Sequence, residues 1–340
     1  MKAVVLQSPG SLRLADVAPP GELGSNQALV RVHRVGICGS DLHAFEGTQN
    51  YVTYPRIIGH ELGVEIVEMG SAGAESDLTV GDLCAVQPYL SCGRCIACRR
   101  GKPNCCVNLD VLGVHRDGGM QEVMIVPLEK LHASEVLSAE SLALVEMLSV
   151  GAHAVERAEL EPSDTVLIVG AGPIGLSVAE FASLSDATVI IAEVDESRLE
   201  FCQEHAAARL CLDAAEDLLP QLREAFSGDL PTAVFDATGS ARSMRAAFRY
   251  VAPGGRLILV GHVPGEIAFR DPDFHSRELT LLASRNATRS DFGSVIDVLE
   301  SGRIDVGSWV THVVSPEEIT QEFEHWLDPR SGVFKALLRF

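Results

Sequence analysis

Val166-Leu167-Ile168-Val169-Gly170-Ala171-Gly172-Pro173-Ile174-Gly175 places an apolar strand directly ahead of a Gly-x-Gly-x-x-Gly turn, and the apolar periodicity that follows reads as a helix over 174–183. Gly170 permits the tight turn, Gly172 lets the backbone approach a pyrophosphate, and Gly175 allows helix and strand to pack closely. With Pro173 and Ile174 these residues open a helix whose N-terminus is suited to phosphate. Glu193 ends the next strand, where a carboxylate can accept hydrogen bonds from an adenosine ribose and repel a 2′-phosphate, so the cofactor expected is NAD rather than NADP. Arg198 reads either as an adenine-stacking residue or as a solvated helix arginine.

Outward from this turn, strand and helix patterns alternate. Strands are expected at 165–169, 188–193, 233–236, 256–261 and 279–284, and helices at 174–183, 197–206 and 240–250, an α/β doubly wound parallel sheet. The first 150 residues or so differ: short alternating runs such as 28–35 and 62–68 between Gly/Pro turns point to an all-β barrel or sandwich. A helix over 141–158 bridges the two patterns. Ser315-Pro316-Glu317-Glu318 has the N-cap serine, first-turn proline and glutamate of a helix start.

A length of 340 residues fits two domains. The formal charge of −20 opposes polyanions, so neither nucleic acid nor an anionic membrane surface is expected as a partner. The opening run Met1-Lys2-Ala3-Val4-Val5-Leu6 is too short for a signal peptide, and no apolar run reaches the roughly 18 residues of a membrane span, so a cytoplasmic protein is expected.

Four of the nine cysteines, Cys92, Cys95, Cys98 and Cys106, give soft ligands at the spacing of a closed, structural tetrahedral zinc site, and reduced thiolates are expected rather than disulfides. By spacing alone Cys105 could replace Cys106. Cys84, Cys202 and Cys211 read as small core residues. A second donor group recurs nearer the N-terminus: Cys38, Asp41 and His43, then His60 and Glu61. A catalytic zinc needs about three protein ligands and an open position, and Cys38 and His60 supply two.

Taken together, Gly36-Ile37-Cys38-Gly39-Ser40-Asp41-Leu42-His43, the segment from Tyr54 to Glu61, the four-cysteine lobe and the glycine turn resemble the medium-chain zinc alcohol dehydrogenases, in the family's order and over essentially the whole chain. The resemblance implies a GroES-like β domain at 1–149, completed by 286–340, and a Rossmann domain at 150–285, with the active site in the cleft between them. It implies two zinc ions per chain and selects Cys106 over Cys105. In Val145-Glu146-Met147-Leu148-Ser149-Val150-Gly151, Glu146 takes the third-ligand place used by polyol branches, although Met147 stands where proline is usual. Glu61 becomes an alternating ligand or near neighbour of the metal, and whether Glu61 or Glu146 binds at rest stays open. Asp41 supports His60, Ser40 lies nearest the substrate oxygen, and His43 ends a proton relay.

The segments Phe274 to Glu278 and Leu279 to Thr288 resemble the sugar-acid branch of that family, that of the hexonate 5-dehydrogenases. On that resemblance the substrate is a small polyhydroxylated molecule, a sugar acid or related polyol, oxidised at a secondary hydroxyl. At the end of its strand Arg285 reads either as the partner of a substrate carboxylate or as a cofactor-side or structural arginine, Asn286 as bonding a hydroxyl or the cofactor, and His115 either as facing the substrate or as a surface-loop residue. Homodimers or homotetramers built through the Rossmann sheets are implied as well. The rival readings are a threonine or simple secondary-alcohol dehydrogenase, and a catalytically silent zinc- and nucleotide-binding regulatory protein.

Overall fold

The computed structural model describes the backbone of residues 1–340 and every side chain except that of Pro329. The chain divides into two units: Met1–Glu146 with Thr288–Phe340, and Met147–Ala287.

In the first unit, period-two patterning becomes a seven-stranded sheet. Its strands run in the order Val310–Val314, Lys335–Arg339, Gln27–Gly36, Glu61–Met69, Leu83–Val86 and Leu131–Ala133, and Val123–Pro127 also pairs with Gln27–Gly36. Along Gln27–Gly36, Ala28, Val30 and Val32 are buried while Arg31 points to solvent, the alternation of a strand with one covered face. Leu62, Val64 and Ile66 on the neighbouring strand join the same core, as do Ile319, Phe323 and Trp326 near the C-terminus. Each such fully buried side chain contributes about 1.5–3 kcal/mol of transfer free energy. Register then places the chemistry: Gly36 opposes Glu61 on one side and Leu337 on the other.

The second unit is a six-stranded, all-parallel sheet in the order Leu210–Asp213, Thr188–Glu193, Thr165–Val169, Ala233–Asp236, Arg256–Leu259 and Thr280–Ala283. In chain order that is 3-2-1-4-5-6, the doubly wound arrangement of a Rossmann sheet. Val166, Leu167 and Ile168 are fully buried in succession, as a strand covered on both faces requires. At the turn, Gly170 has φ +100°, and a Cβ on Gly175 would lie 1.8 Å from the Gly170 carbonyl oxygen, so both positions need glycine.

Several local expectations change. Cys202, on the helix Glu196–His205, and Cys211, on the strand Leu210–Asp213, form a disulfide with Cα atoms 6.6 Å apart, which corrects their reading as free core residues. Helix and strand pack side by side there, a proximity that spacing alone does not signal. The helix expected at 240–250 is regular only over Ala241–Ala247. Ser315 and Glu318 do exchange capping hydrogen bonds, but the regular helix begins later, at Ile319–His325. Gly39–Glu46 is helical within the segment read as all-β, and Leu218–Ala225 and Arg289–Glu300 are further helices, each announced by a capping side chain, Asp217 and Thr288. Among the described residues no helix is long and apolar enough to cross a membrane.

Candidate active site

Cys38 follows the strand Gln27–Gly36 and is the N-cap of the helix Gly39–Glu46. Asp41, at the third helical position, is 2% exposed and accepts from Cys38 N at 2.9 Å and from Gly59 N at 3.1 Å. One buried carboxylate therefore stitches together the two loops that carry Cys38 and His60. His60 Nδ1 lies 3.9 Å from Asp41 Oδ1. Burial pushes the Asp41 carboxyl above its ordinary range, against the pull of His60 and of the two amides.

Ligand atoms of Cys38, His60 and Glu61 all lie within 4.8 Å of one another. Glu61 reaches this position because it faces Gly36: a Cβ there would stand 2.0 Å from Glu61 Oε2. Its carboxylate is ion-paired with Lys335, whose Nζ also donates to Ile37 O at 3.0 Å. Both side chains are almost wholly buried. Glu146 stands outside this tight trio and accepts a hydrogen bond from the Tyr89 hydroxyl, while the Tyr89 ring meets Phe292 edge-on with centroids 6.4 Å apart. Burial pushes the Glu146 carboxyl up, opposed by His60 and reinforced by Glu61. For His60 burial acts downward, but the Cys38 hydrogen bond and the charges of Cys38, Asp41 and Glu146 outweigh it and hold the imidazole well above its ordinary range.

Ser40 is half-buried at the second position of the same helix; His43 is exposed on it, its Nδ1 3.3 Å from Glu46 and 3.4 Å from the Thr48 hydroxyl. His115 Nδ1 accepts from Val111 N at 3.1 Å, and its ring lies 5.8 Å from that of Tyr51.

The four-cysteine lobe hangs from the short ribbon formed by Tyr89–Leu90 and Asp110–Val111. Sulfurs of Cys92, Cys95, Cys98 and Cys106 lie within 4.8 Å of one another, while Cys105 is exposed and outside the group. Backbone amides aim at the sulfurs: Cys92 N and Asn108 N donate to Cys106 Sγ at 3.3 and 3.4 Å. Amides of Cys98 and Val107 bring the Cys95 thiol down to about 6, whereas loss of solvation pushes Cys98 up to about 11.

In the second unit, Gly170, Gly172, Pro173, Ile174 and Gly175 form the turn and first helical residues of Pro173–Ser183. Buried Glu193 accepts from Ala171 N and Val194 N, each at 2.7 Å, and from Asp195 N at 3.0 Å, tying the glycine turn to the end of the second strand. Arg198 is exposed, its guanidinium about a van der Waals contact from a Cβ placed on Gly172, at 3.9 Å. Arg285 is exposed after the last strand, and Asn286 adopts the left-handed φ of 52°.

Sequence reading missed Tyr89 and Lys335. A lone lysine within Val333-Phe334-Lys335-Ala336-Leu337-Leu338 is the signal that was there to find, since a lysine in an apolar strand needs a buried anion. Tyr89 in Gln87-Pro88-Tyr89-Leu90 carries no comparable mark.

The family model described as "Alcohol dehydrogenase GroES-like domain" matches residues 24–135, and "Zinc-binding dehydrogenase" matches 173–301. L-galactonate-5-dehydrogenase of Escherichia coli (strain K12) is 38% identical over 100% of this chain and 99% of its own. Sorbitol dehydrogenase of Bacillus subtilis (strain 168) is 30% identical, covering 98% of this chain and 97% of its own. The crystal structure of an alcohol dehydrogenase from E. coli CFT073 with NADH superposes with a TM-score of 0.90 at 29% identity, covering 100% of this chain and 99% of that one. With both halves matched and similarity along the whole chain to dehydrogenases of a sugar alcohol and a sugar acid, the chain belongs to the zinc-binding alcohol dehydrogenase family and is an oxidoreductase.

Proposed function

We propose that this enzyme exchanges hydride between an internal secondary hydroxyl of a sugar acid, or a closely related polyol, and NAD. One zinc ion is held by Cys38, His60 and a carboxylate, and a second by Cys92, Cys95, Cys98 and Cys106. The observation that carries the reading is a charge imbalance: the buried carboxyls of Asp41, Glu61 and Glu146 and the Cys38 thiol meet one lysine and one histidine, and His60 Nδ1 is buried without a hydrogen bond among the described residues. Uncompensated buried charge is costly, and a dication bound to these donors relieves it. Glu61, already neutralised by Lys335, is the exchangeable carboxylate, and Glu146, oriented by Tyr89, the steady ligand.

The bound groups supply acidification of the substrate hydroxyl by zinc and hydride acceptance by the nicotinamide. Ser40 relays the proton of that hydroxyl, accepting it as it passes its own outward through the cofactor ribose, and His43, exposed beside Glu46, ends the relay at solvent. Amides of the glycine turn receive the pyrophosphate. Three amides occupy the Glu193 carboxylate, which has about four lone-pair sites, so one is left for a ribose hydroxyl while the charge repels a 2′-phosphate. Arg285 pairs the substrate carboxylate, with Asn286 and His115 bonding its hydroxyls; Arg198 lies against adenine. The exposed edge strand Thr280–Ala283, with Leu281 40% exposed, is the surface for pairing with a second copy.

An NADH-absorbance screen over hexonates, pentonates, polyols, aldoses and L-threonine tests this. Turnover is expected to be greatest on an aldonate, and Arg285→Gln to raise its KM about tenfold or more while sparing the matching polyol. Faster turnover of threonine or of a simple secondary alcohol overturns the substrate class, and a preference for NADP overturns the role of Glu193.

A further inference from the structure

The parallel sheet of the second unit has two ends, and the glycine turn and Glu193 occupy only one of them. At the other end, where Thr165 and Thr188 begin their strands and Arg209 and Thr232 immediately precede theirs, lies an open cavity of about 1080 Å³. Strand length separates it from the glycine turn by roughly 15 Å. Its lining inverts the charge of the molecule. The chain has 47 acidic residues against 27 lysines and arginines, yet this cavity collects Arg209, Arg223, Arg249, Arg270 and Arg277 against only Asp229 and Asp273.

Two of these arginines are already engaged. Arg277 donates to the carbonyls of Phe248 at 2.9 Å, Val251 at 3.0 Å and Asp273 at 2.8 Å, and Arg270 stands 3.8 Å from the Asp273 carboxylate. Arg209, Arg223 and Arg249 are exposed and have no ion pair or side-chain hydrogen bond among the described residues. Three planar guanidiniums around one concavity hold unused forked donors, the geometry that meets phosphate oxygens in pairs. The space far exceeds a single phosphate, and Phe226 and Pro253 give part of its wall an apolar character.

We propose that this end of the sheet is a binding site for a polyphosphate anion, held by Arg209, Arg223 and Arg249 and separate from the dinucleotide turn. The chemistry is shared by a free phosphate chain and by the phosphate tail of a nucleotide, and the probes tripolyphosphate and ATP separate the two. Calorimetric titration of the zinc-loaded full chain, saturated with NADH and in about 25 mM salt, reads the site without interference from the glycine turn. Saturable tripolyphosphate binding is expected. The triple variant Arg209→Gln/Arg223→Gln/Arg249→Gln is expected to weaken it at least about tenfold and to leave NADH affinity within about twofold. Arg13→Gln, an exposed arginine on the other unit, serves as the control and is expected to change nothing. ATP binding no tighter than tripolyphosphate assigns the site to a phosphate chain, and ATP binding about tenfold tighter assigns it to a nucleotide. Absence of saturable binding, displacement by NADH, or unchanged affinity in the triple variant overturns the proposal and leaves the arginines to the C-terminal ends of the neighbouring helices.

Discussion

The two donor groups of the first unit are assembled in opposite ways. Cys92, Cys95, Cys98 and Cys106 are gathered by one loop, are half-buried apart from Cys106, and are oriented by amides of the same loop. Cys38 comes from one segment and the adjacent His60 and Glu61 from another, and the two are brought together by sheet register, by Asp41 between two loops, and by Lys335 from the far end of the chain. A uniform, closed sulfur set suits holding a loop in place, because it leaves no position for a substrate oxygen. The mixed, buried set places thiol, imidazole and carboxylate where water is scarce and charge is strong, which suits chemistry. On the proposed zinc assignment, local assembly is expected to leave the fold of the first set dependent on metal, and sheet-borne assembly to leave that of the second independent of it.

Substitution of one cysteine in each set is the strongest way to break that contrast. Cys95→Ser is expected to collapse the lobe, since structural zinc supplies on the order of 10 kcal/mol of folding free energy to units with little core of their own. Limited proteolysis between residues 90 and 110 reads it. Cys38→Ser is expected to lose one zinc equivalent by elemental analysis and at least about a thousandfold in turnover, with the melting temperature within a few degrees of the parent. Equal loss of fold from both variants would erase the distinction.

The ion pair beneath the mixed set gives the next largest effect. Lys335→Met leaves the Glu61 charge buried without its partner and is expected to cost about 3–5 kcal/mol, read as a fall in the urea midpoint of the metal-free protein. Adding Glu61→Gln removes the stranded charge and is expected to restore most of the loss. A single variant as stable as the parent would mean that Glu61 is held by something other than Lys335.

What could be read in advance follows the same division. The four-cysteine lobe is spelled out within one loop, and the glycine turn and its flanking strand are likewise contiguous, so the Rossmann sheet and the GroES-like half were both legible. Lys335 bonds to Ile37 across 298 residues of chain, and Tyr89 reaches Glu146 across 57; no local period encodes either meeting. Cys202 and Cys211 are only nine residues apart, but their pairing depends on a helix turning back beside a strand. A short helix such as Leu218–Ala225 spans too few turns to show a clear apolar period, and tertiary packing supplies most of its stability, so only its Asp217 cap marks it in the sequence.

Asp41 offers the finest probe, because it acts on the mixed set without belonging to its closest trio. Its two carboxylate oxygens each accept one amide, Cys38 N and Gly59 N, so it fixes the loops that present the thiol and the imidazole. Asparagine keeps the shape but exchanges one acceptor for a donor, leaving one of those buried amides facing an NH₂. The unsatisfied amide is expected to cost about 1–3 kcal/mol of stability. Because the loops hold the metal donors rather than the sheet core, most of that cost should appear as weakened zinc binding, about 10–100-fold, measured by competition with a chromophoric chelator. Zinc in the four-cysteine lobe should be unaffected, since Asp41 touches none of its sulfurs. Equal weakening of both zinc sites would show that Asp41 supports the whole unit, and would remove the ground for treating the two donor groups as independently built.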